Sequence, residues 1–186
     1  FYKMALTDHG SLSNAISFIA VTTSMGIKPI IGLEAYVMYN SKRYHLTMLA
    51  DGNEGFETLI HLNNLAVESE NGRPSFQLEL LRKYNKGIVV LTGCSNSPFH
   101  KLDWTEARAL AMEMKGYLGN RLFAEIMFTS YGESWKRSKQ LIDAGLNPVL
   151  TNDVHFSYET DARAHEIISN LRSKKDYESR FCFFAT

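Results

Sequence analysis

Gly87-Ile88-Val89-Val90-Leu91 is an unbroken apolar run of strand length, and a strand of that composition must be covered on both faces. The segments after it constrain the fold most. A helical pattern at about Thr105–Leu118 is followed by a strand at Leu122–Met127, a helix at Ser134–Ala144, a strand at Pro148–Leu150 and a helix at Asp161–Leu171. Such alternation predicts an α/β fold of parallel strands joined by crossover helices, either an open doubly wound sheet or a closed barrel. With 186 residues, 45% of them apolar, the chain can bury one substantial core.

The first half reads less regularly. Met4–Leu6 has strand character, Thr7-Asp8-His9-Gly10 forms a loop, and a helical pattern runs from about Ser13 to Met25, opened by a serine cap and closed by Gly26. Lys28–Tyr39 is rich in β formers, and Asn40-Ser41-Lys42 turns it into a second run at Tyr44–Ala50, which predicts a hairpin. Asn53–Glu70 places Phe56, Leu59, Ile60, Leu62, Asn63 and Ala66 at helical spacing, and Asn71-Gly72-Arg73-Pro74 then breaks the helix. A short helix is expected near Leu78–Tyr84.

Charge and cysteine usage exclude several function classes. Twenty basic residues balance twenty acidic ones, so no global field draws the chain to nucleic acid or to an acidic membrane. The one short basic cluster, Arg172, Lys174, Lys175 and Arg180, is diluted by Asp176 and Glu178 and reads as a solvated tail. Cys94 and Cys182 lack CxxC spacing, which offers no disulfide framework and fits a reducing cytoplasm. No stretch approaches the roughly 18 apolar residues of a membrane span, and Phe1-Tyr2-Lys3 resembles neither a signal peptide nor a natural start, so a fragment is expected.

The candidate chemistry gathers at strand ends, which is where α/β folds bind ligands. Asp8 and His9 follow the first strand, Cys94 follows the Ile88–Leu91 strand, and Asp153 and His155 follow the Val149-Leu150 strand. Glu34 lies inside an apolar strand, where an unpaired carboxylate is costly and calls for a cation or strong donors. The predicted turn folds His45 back beside it, and strand alternation can point both inward. Asp153 and His155, two residues apart, share a face if extended. Taken singly, each of these has an ordinary structural explanation. Seven carboxylate, imidazole and thiol groups converging from separate strand ends predict a metal site, of zinc, manganese or iron type, with room for more than one ion. Two ions about 4 Å apart would suit phosphoester hydrolysis. His61 and His100 stand apart from this set, and His165 is expected to pack or cap. No GxSxG elbow, P-loop, GxGxxG or HExxH motif competes.

In order, Ala5-Leu6-Thr7-Asp8-His9-Gly10, Gly26-Ile27-Lys28-Pro29-Ile30-Ile31-Gly32-Leu33-Glu34-Ala35-Tyr36, His45–Ala50, Leu91-Thr92-Gly93-Cys94, Thr151–His155 and Asp161–Glu166 resemble the PHP (polymerase and histidinol phosphatase) domain family, in the branch carried by bacterial replicative polymerases, the DNA polymerase III alpha subunits. The resemblance covers Met4 to about Leu171. It implies a distorted seven-stranded (β/α)7 TIM-like barrel whose strand ends hold up to three zinc, manganese or iron ions. The implied ligands are Asp8, His9, Glu34, His45, Cys94, Asp153 and His155, with Glu34 bridging two ions and Asp8, His9, Glu34 and Asp153 forming the catalytic set. The implied activity is metal-dependent phosphoester hydrolysis of the 3′–5′ exonuclease type. Other members are structural and dock the separate proofreading exonuclease subunit. The family's opening His-x-His motif and first strand are expected before Phe1, which would leave residues 1–171 an N-terminally incomplete PHP domain with fewer ions, and residues 172–186 a tail leading toward the polymerase region. The implied partners are DNA, reached through the parent polymerase, and other replicase subunits, with no membrane. A stand-alone phosphatase of small phosphate esters is the further alternative, against which the Thr-Gly-Cys segment argues.

Overall fold

The computed structural model describes residues 1–68, 73–93, 95–127 and 133–173. β1 (Lys3–Leu6) leads into α1 (Ala15–Ser24), and the hairpin follows as β2 (Lys28–Tyr39) and β3 (Lys42–Ala50). Asn40 and Ser41 both take left-handed backbone conformations, φ 48° and 59°. This two-residue turn matches the twist of the strands it joins and pairs Tyr39 with Lys42. α1 starts two residues later than the serine predicts, with Asn14 at the N-cap and no side-chain capping bond, because Ser11 and Ser13 hydrogen-bond each other instead.

α2 (Gly52–Asn64) ends well short of the predicted Glu70, and Val67–Glu68 forms a short strand, β4, paired with β5 (Pro74–Gln77). Pro74 reads as a breaker in sequence, yet proline is tolerated at the first residue of a strand, where a ladder donor is not required of it. Leu78–Arg82 is a 3-10 turn, and β6 (Ile88–Leu91), α3 (Pro98–Lys101), α4 (Trp104–Leu118), β7 (Leu122–Met127), α5 (Glu133–Asp143), β8 (Asn147–Thr151) and α6 (Ala162–Ser173) complete the chain's described elements. Asp103 opens α4 by accepting a hydrogen bond from the Glu106 amide at 2.9 Å. Among the described residues no helix is long and apolar enough to cross a membrane.

The sheet is mixed: β6, β7 and β8 run parallel as the alternation predicts, and the predicted hairpin brings in the antiparallel strand β3. Its order is β4-β5-β2-β3-β6-β7-β8, with β1 also on β2. β3 runs antiparallel to both β2 and β6, whereas β1–β2, β2–β5, β6–β7 and β7–β8 are parallel. The hairpin causes this, since a two-residue turn can only reverse the chain. The sheet curls into a half-barrel that brings the loops after β1 and β8 together, with the His9 and His155 rings 5.8 Å apart.

Strand alternation then decides which side chains meet the helices. Leu33, Ala35 and Val37 of β2, Leu46 and Met48 of β3, Ile88 and Val90 of β6, and Ala124 of β7 enter a buried cluster with Leu59 and Leu62 of α2 and Leu110 and Met114 of α4. Residues one position out of phase, Glu34, His45, Thr47, Leu91 and Glu125, face the concave side instead. α2 approaches β6 closely, because Gly55 in its first turn lies against the carbonyl of Gly87, which also accepts the Asp51 amide at 2.7 Å.

Candidate functional site

The concave face of the sheet encloses a cavity of about 1140 Å³, and Asp8, His9, Glu34, His45, Asp153 and His155 all line it. The backbone fixes the first two against the third. His9 and Glu34 form an isolated parallel bridge, in which the Glu34 amide donates to the Asp8 carbonyl at 3.1 Å and the Gly10 amide donates to the Glu34 carbonyl at 2.9 Å. Gly10 must be glycine for two reasons. Its φ is +61°, and a Cβ there would stand 2.9 Å from the Tyr36 ring.

Glu34 is the centre of the cluster. His9 Nδ1 lies 2.5 Å from Glu34 Oε2, and His45 Nδ1 lies 2.5 Å from Oε1, so each carboxylate oxygen faces a different imidazole. The hairpin register makes this possible. Tyr36 pairs with His45, which puts Glu34 and His45 diagonally across β2 and β3 on one face. Burial is the largest single influence on the Glu34 carboxyl and pushes it up, but the imidazole hydrogen bonds and charges together outweigh burial and hold it at about 2. His9 is raised in return, chiefly by its hydrogen bond to Glu34.

β8 contributes from the other end of the chain. Asp153 is raised above the ordinary carboxylate range by burial, with the Glu34 charge adding to it and nearby imidazoles opposing it. His155 Nδ1 sits 3.0 Å from the Asp153 carbonyl and 3.6 Å from its carboxylate. The His165 ring lies 5.3 Å from that of His155, so the first turn of α6 closes this flank. Behind His45, the buried Tyr36 ring stands edge-on to it at 5.0 Å. The guanidinium groups of Arg43 and Arg73 lie over the same Tyr36 ring at 5.5 and 5.2 Å, and Arg73 also donates to the tyrosine hydroxyl.

Asp8 behaves differently from the other predicted residues, for its carboxylate accepts a hydrogen bond from Asn14 Nδ2 at 2.8 Å and so ties the loop to the start of α1. Cys94 lies outside the described residues, although its neighbours are placed. The Thr92 amide bonds the Phe123 carbonyl at 3.0 Å, and the Asn96 carbonyl accepts from the His45 amide at 3.1 Å, which ties Asn96 to the strand that carries His45. His61 stacks on Tyr84 at 4.4 Å, and burial pushes His100 down to about 4; neither lines the cavity.

Sequence reasoning misses Glu125. This residue is only 3% exposed, lines the cavity from β7, and is pushed up to about 7 by burial, despite hydrogen bonds from Thr151 and the Gly93 amide that favour its charged form. The signal that singles out Glu34, a lone carboxylate within an apolar strand, applies equally to Leu122-Phe123-Ala124-Glu125-Ile126.

The donor set fits a divalent cation. Three imidazoles, His9, His45 and His155, and the half-buried carboxylates of Glu34 and Asp153 face one cavity, and mixed oxygen and nitrogen donors of this kind suit zinc, manganese or iron. Among the described residues, though, no three or more His, Cys, Asp or Glu side chains are already disposed about a single point as a cage. His9 and His45 turn their Nδ1 atoms onto Glu34 instead.

The PHP domain family model matches residues 1–129. The chain is 36% identical over 194 residues to the DNA polymerase III subunit alpha of Thermus aquaticus, an alignment covering 92% of this chain and 16% of that protein. Against the same-named protein of Deinococcus radiodurans it is 32% identical over 206 residues, covering 97% and 15%, and against that of Aquifex aeolicus 28% over 200 residues, covering 94% and 17%. The chain thus spans about one sixth of the length of these curated relatives.

Proposed function

Because the chain belongs to the PHP domain family, we propose that its strand-end cluster is a divalent-metal site of phosphoester-hydrolysing type, carried within the alpha subunit of a replicative DNA polymerase. The half-barrel is then part of a distorted (β/α)7 barrel of that family. The observation that carries the reading is Glu34, a half-buried carboxylate whose two oxygens face two different imidazoles at 2.5 Å. A carboxylate so placed is equipped to share its oxygens between two ions.

His9, Glu34, His45, Asp153 and His155 would hold the ions, with Cys94 a further ligand and Asp8 bracing the β1–α1 loop that carries His9. When bound, divalent zinc, manganese or iron supplies charge stabilisation for a phosphoryl oxygen and activates water at neutral pH. The protein's own groups do the rest. Glu34 keeps a full negative charge, which favours cation capture, and the imidazoles orient it. Burial raises Asp153 and so makes its carboxylate readier to gain a neighbouring positive charge. Arg43 and Arg73, stacked on Tyr36 next to His45, would add positive charge near a phosphate diester approaching the cluster. The proposed setting is the cytoplasm, the substrate DNA at a 3′ end, and the partners the remaining replicase subunits, the proofreading exonuclease among them.

The same geometry supports a second reading, in which the domain is a scaffold that docks other subunits without turnover. Its support is that the carboxylate and imidazoles already satisfy one another. Metal content and hydrolysis of a 3′-ended single-stranded oligonucleotide, measured in the whole protein, separate the two. For the enzyme, Glu34→Gln and His155→Ala each lower metal content and cut hydrolysis at least tenfold. Unchanged hydrolysis in both variants would refute the enzyme reading and leave the scaffold.

A further inference from the structure

We propose that Glu125 is a positioning residue of the metal site, a buried carboxylate that clamps Thr92 and Gly93, just past the end of β6, to the end of β8, from which Asp153 and His155 follow. The inference rests on reading the strand-end cluster as a metal site and goes beyond it by assigning a role to a residue outside the ligand set.

Every polar atom of Glu125 is engaged, two of the bonds going to the end of β6, one to the end of β8 and one to α5. Oε2 accepts from the Gly93 amide at 2.9 Å, and Oε1 accepts from the Thr151 hydroxyl at 2.7 Å. The Glu125 amide donates to Thr92 Oγ1 at 2.9 Å, and its carbonyl accepts from the Ser138 hydroxyl at 2.7 Å. Gly93 immediately precedes Cys94, and Thr151 lies two residues before Asp153. One side chain on β7 therefore sets the separation of the flanking ends of β6 and β8. These are two neighbouring strands whose own pairing with β7 does not extend into the loops that follow.

The chemistry explains why a carboxylate does this. Two donors, an amide and a hydroxyl, approach from opposite sides, and a carboxylate presents an acceptor oxygen to each. Glutamine at this position keeps one acceptor and substitutes a donor for the other, which forces the Thr151 hydroxyl to reverse. Both oxygens of Glu125 bond protein donors, so its assignment is to hold the ligand loops in place and not to bind the ion.

The test is Co2+ binding to the whole protein, measured as affinity by calorimetry and as coordination geometry by the visible absorption of the bound ion. Glu125→Gln and Thr151→Val are each expected to weaken Co2+ binding ten- to a hundredfold and to alter the absorption spectrum, whereas Thr151→Ser, which keeps the hydroxyl, restores wild-type behaviour. Wild-type affinity and spectrum in a folded Thr151→Val protein would overturn the clamp, and this variant decides the matter if Glu125→Gln does not fold. Failure of the metal reading looks different: wild-type protein and a His9→Ala variant would then bind Co2+ equally poorly, and both proposals fall together.

Discussion

At the scale of single residues, the half-buried Glu34 and the buried Glu125 are shifted in opposite directions, and this gives the protein a pH signature. Glu34 is held at about 2, below its ordinary value near 4.5, so its contribution to stability is present above the ordinary value and is lost as pH falls toward 2. His9 is raised, so its contribution is full below the ordinary imidazole value of 6.5 and is lost as pH rises through the raised value. Glu125 is raised to about 7, so charging it costs the folded state, and stability is lost as pH rises from about 4.5 through 7. Glu125→Gln removes that last term. Urea midpoints at pH 5 and pH 8 should show the variant gaining on wild type at the higher pH, by on the order of 2 to 3 kcal/mol at most. An equal difference at both values would show that Glu125 does not titrate in this range.

Elements depend on a few close approaches, and the one between α2 and β6 is the tightest. A Cβ on Gly55 would fall 1.8 Å from the Gly87 carbonyl oxygen, so Gly55→Ala must separate the helix from the strand and should cost about 3 kcal/mol in urea denaturation. Gly116 provides the contrast within α4, since a Cβ there meets nothing within 4 Å. Gly116→Ala should stabilise by roughly 0.5 to 1 kcal/mol through helix propensity and reduced unfolded-state entropy. Elements with a strong local signature were legible in the sequence: Leu122–Met127 is a strand with the predicted bounds, and Asn40-Ser41 makes the predicted turn. The end of α2 and strands β4 and β5 were not legible, because β5 is held by parallel pairing with Val37 and Met38 of β2, far away in sequence, and only then gives Val67 and Glu68 an edge to pair with. Within the site, Glu34 and His45 could be brought together on paper because a turn links them. Nothing local distinguishes Asp8, whose partner Asn14 lies across a loop, and Glu125 was passed over although it carries the same mark as Glu34.

Across the whole molecule, the cluster draws on both ends of the described chain, with His9 on one side of the cavity and His155 on the other. Ion binding at such a place links the two ends of the curled sheet, so it should stabilise the fold as a whole. A divalent cation at a hundred times its dissociation constant contributes about 2.7 kcal/mol, and chelation should lower the melting temperature correspondingly. A His9→Ala variant should lose most of that difference, which calorimetry with and without chelator will show.

The same arrangement sets a clock on synthesis. His9, Glu34 and His45 leave the ribosome within one short stretch that closes through a two-residue turn, and hairpins form in about 1 to 10 μs. Asp153 and His155 follow roughly a hundred residues later, an interval of about 5 to 20 s at ordinary rates of translation. For that period the nascent chain presents two imidazoles and a carboxylate with no opposite wall. On the proposed metal reading, the first ion to meet them would be chosen by an open half-site, and only afterwards by the finished cavity.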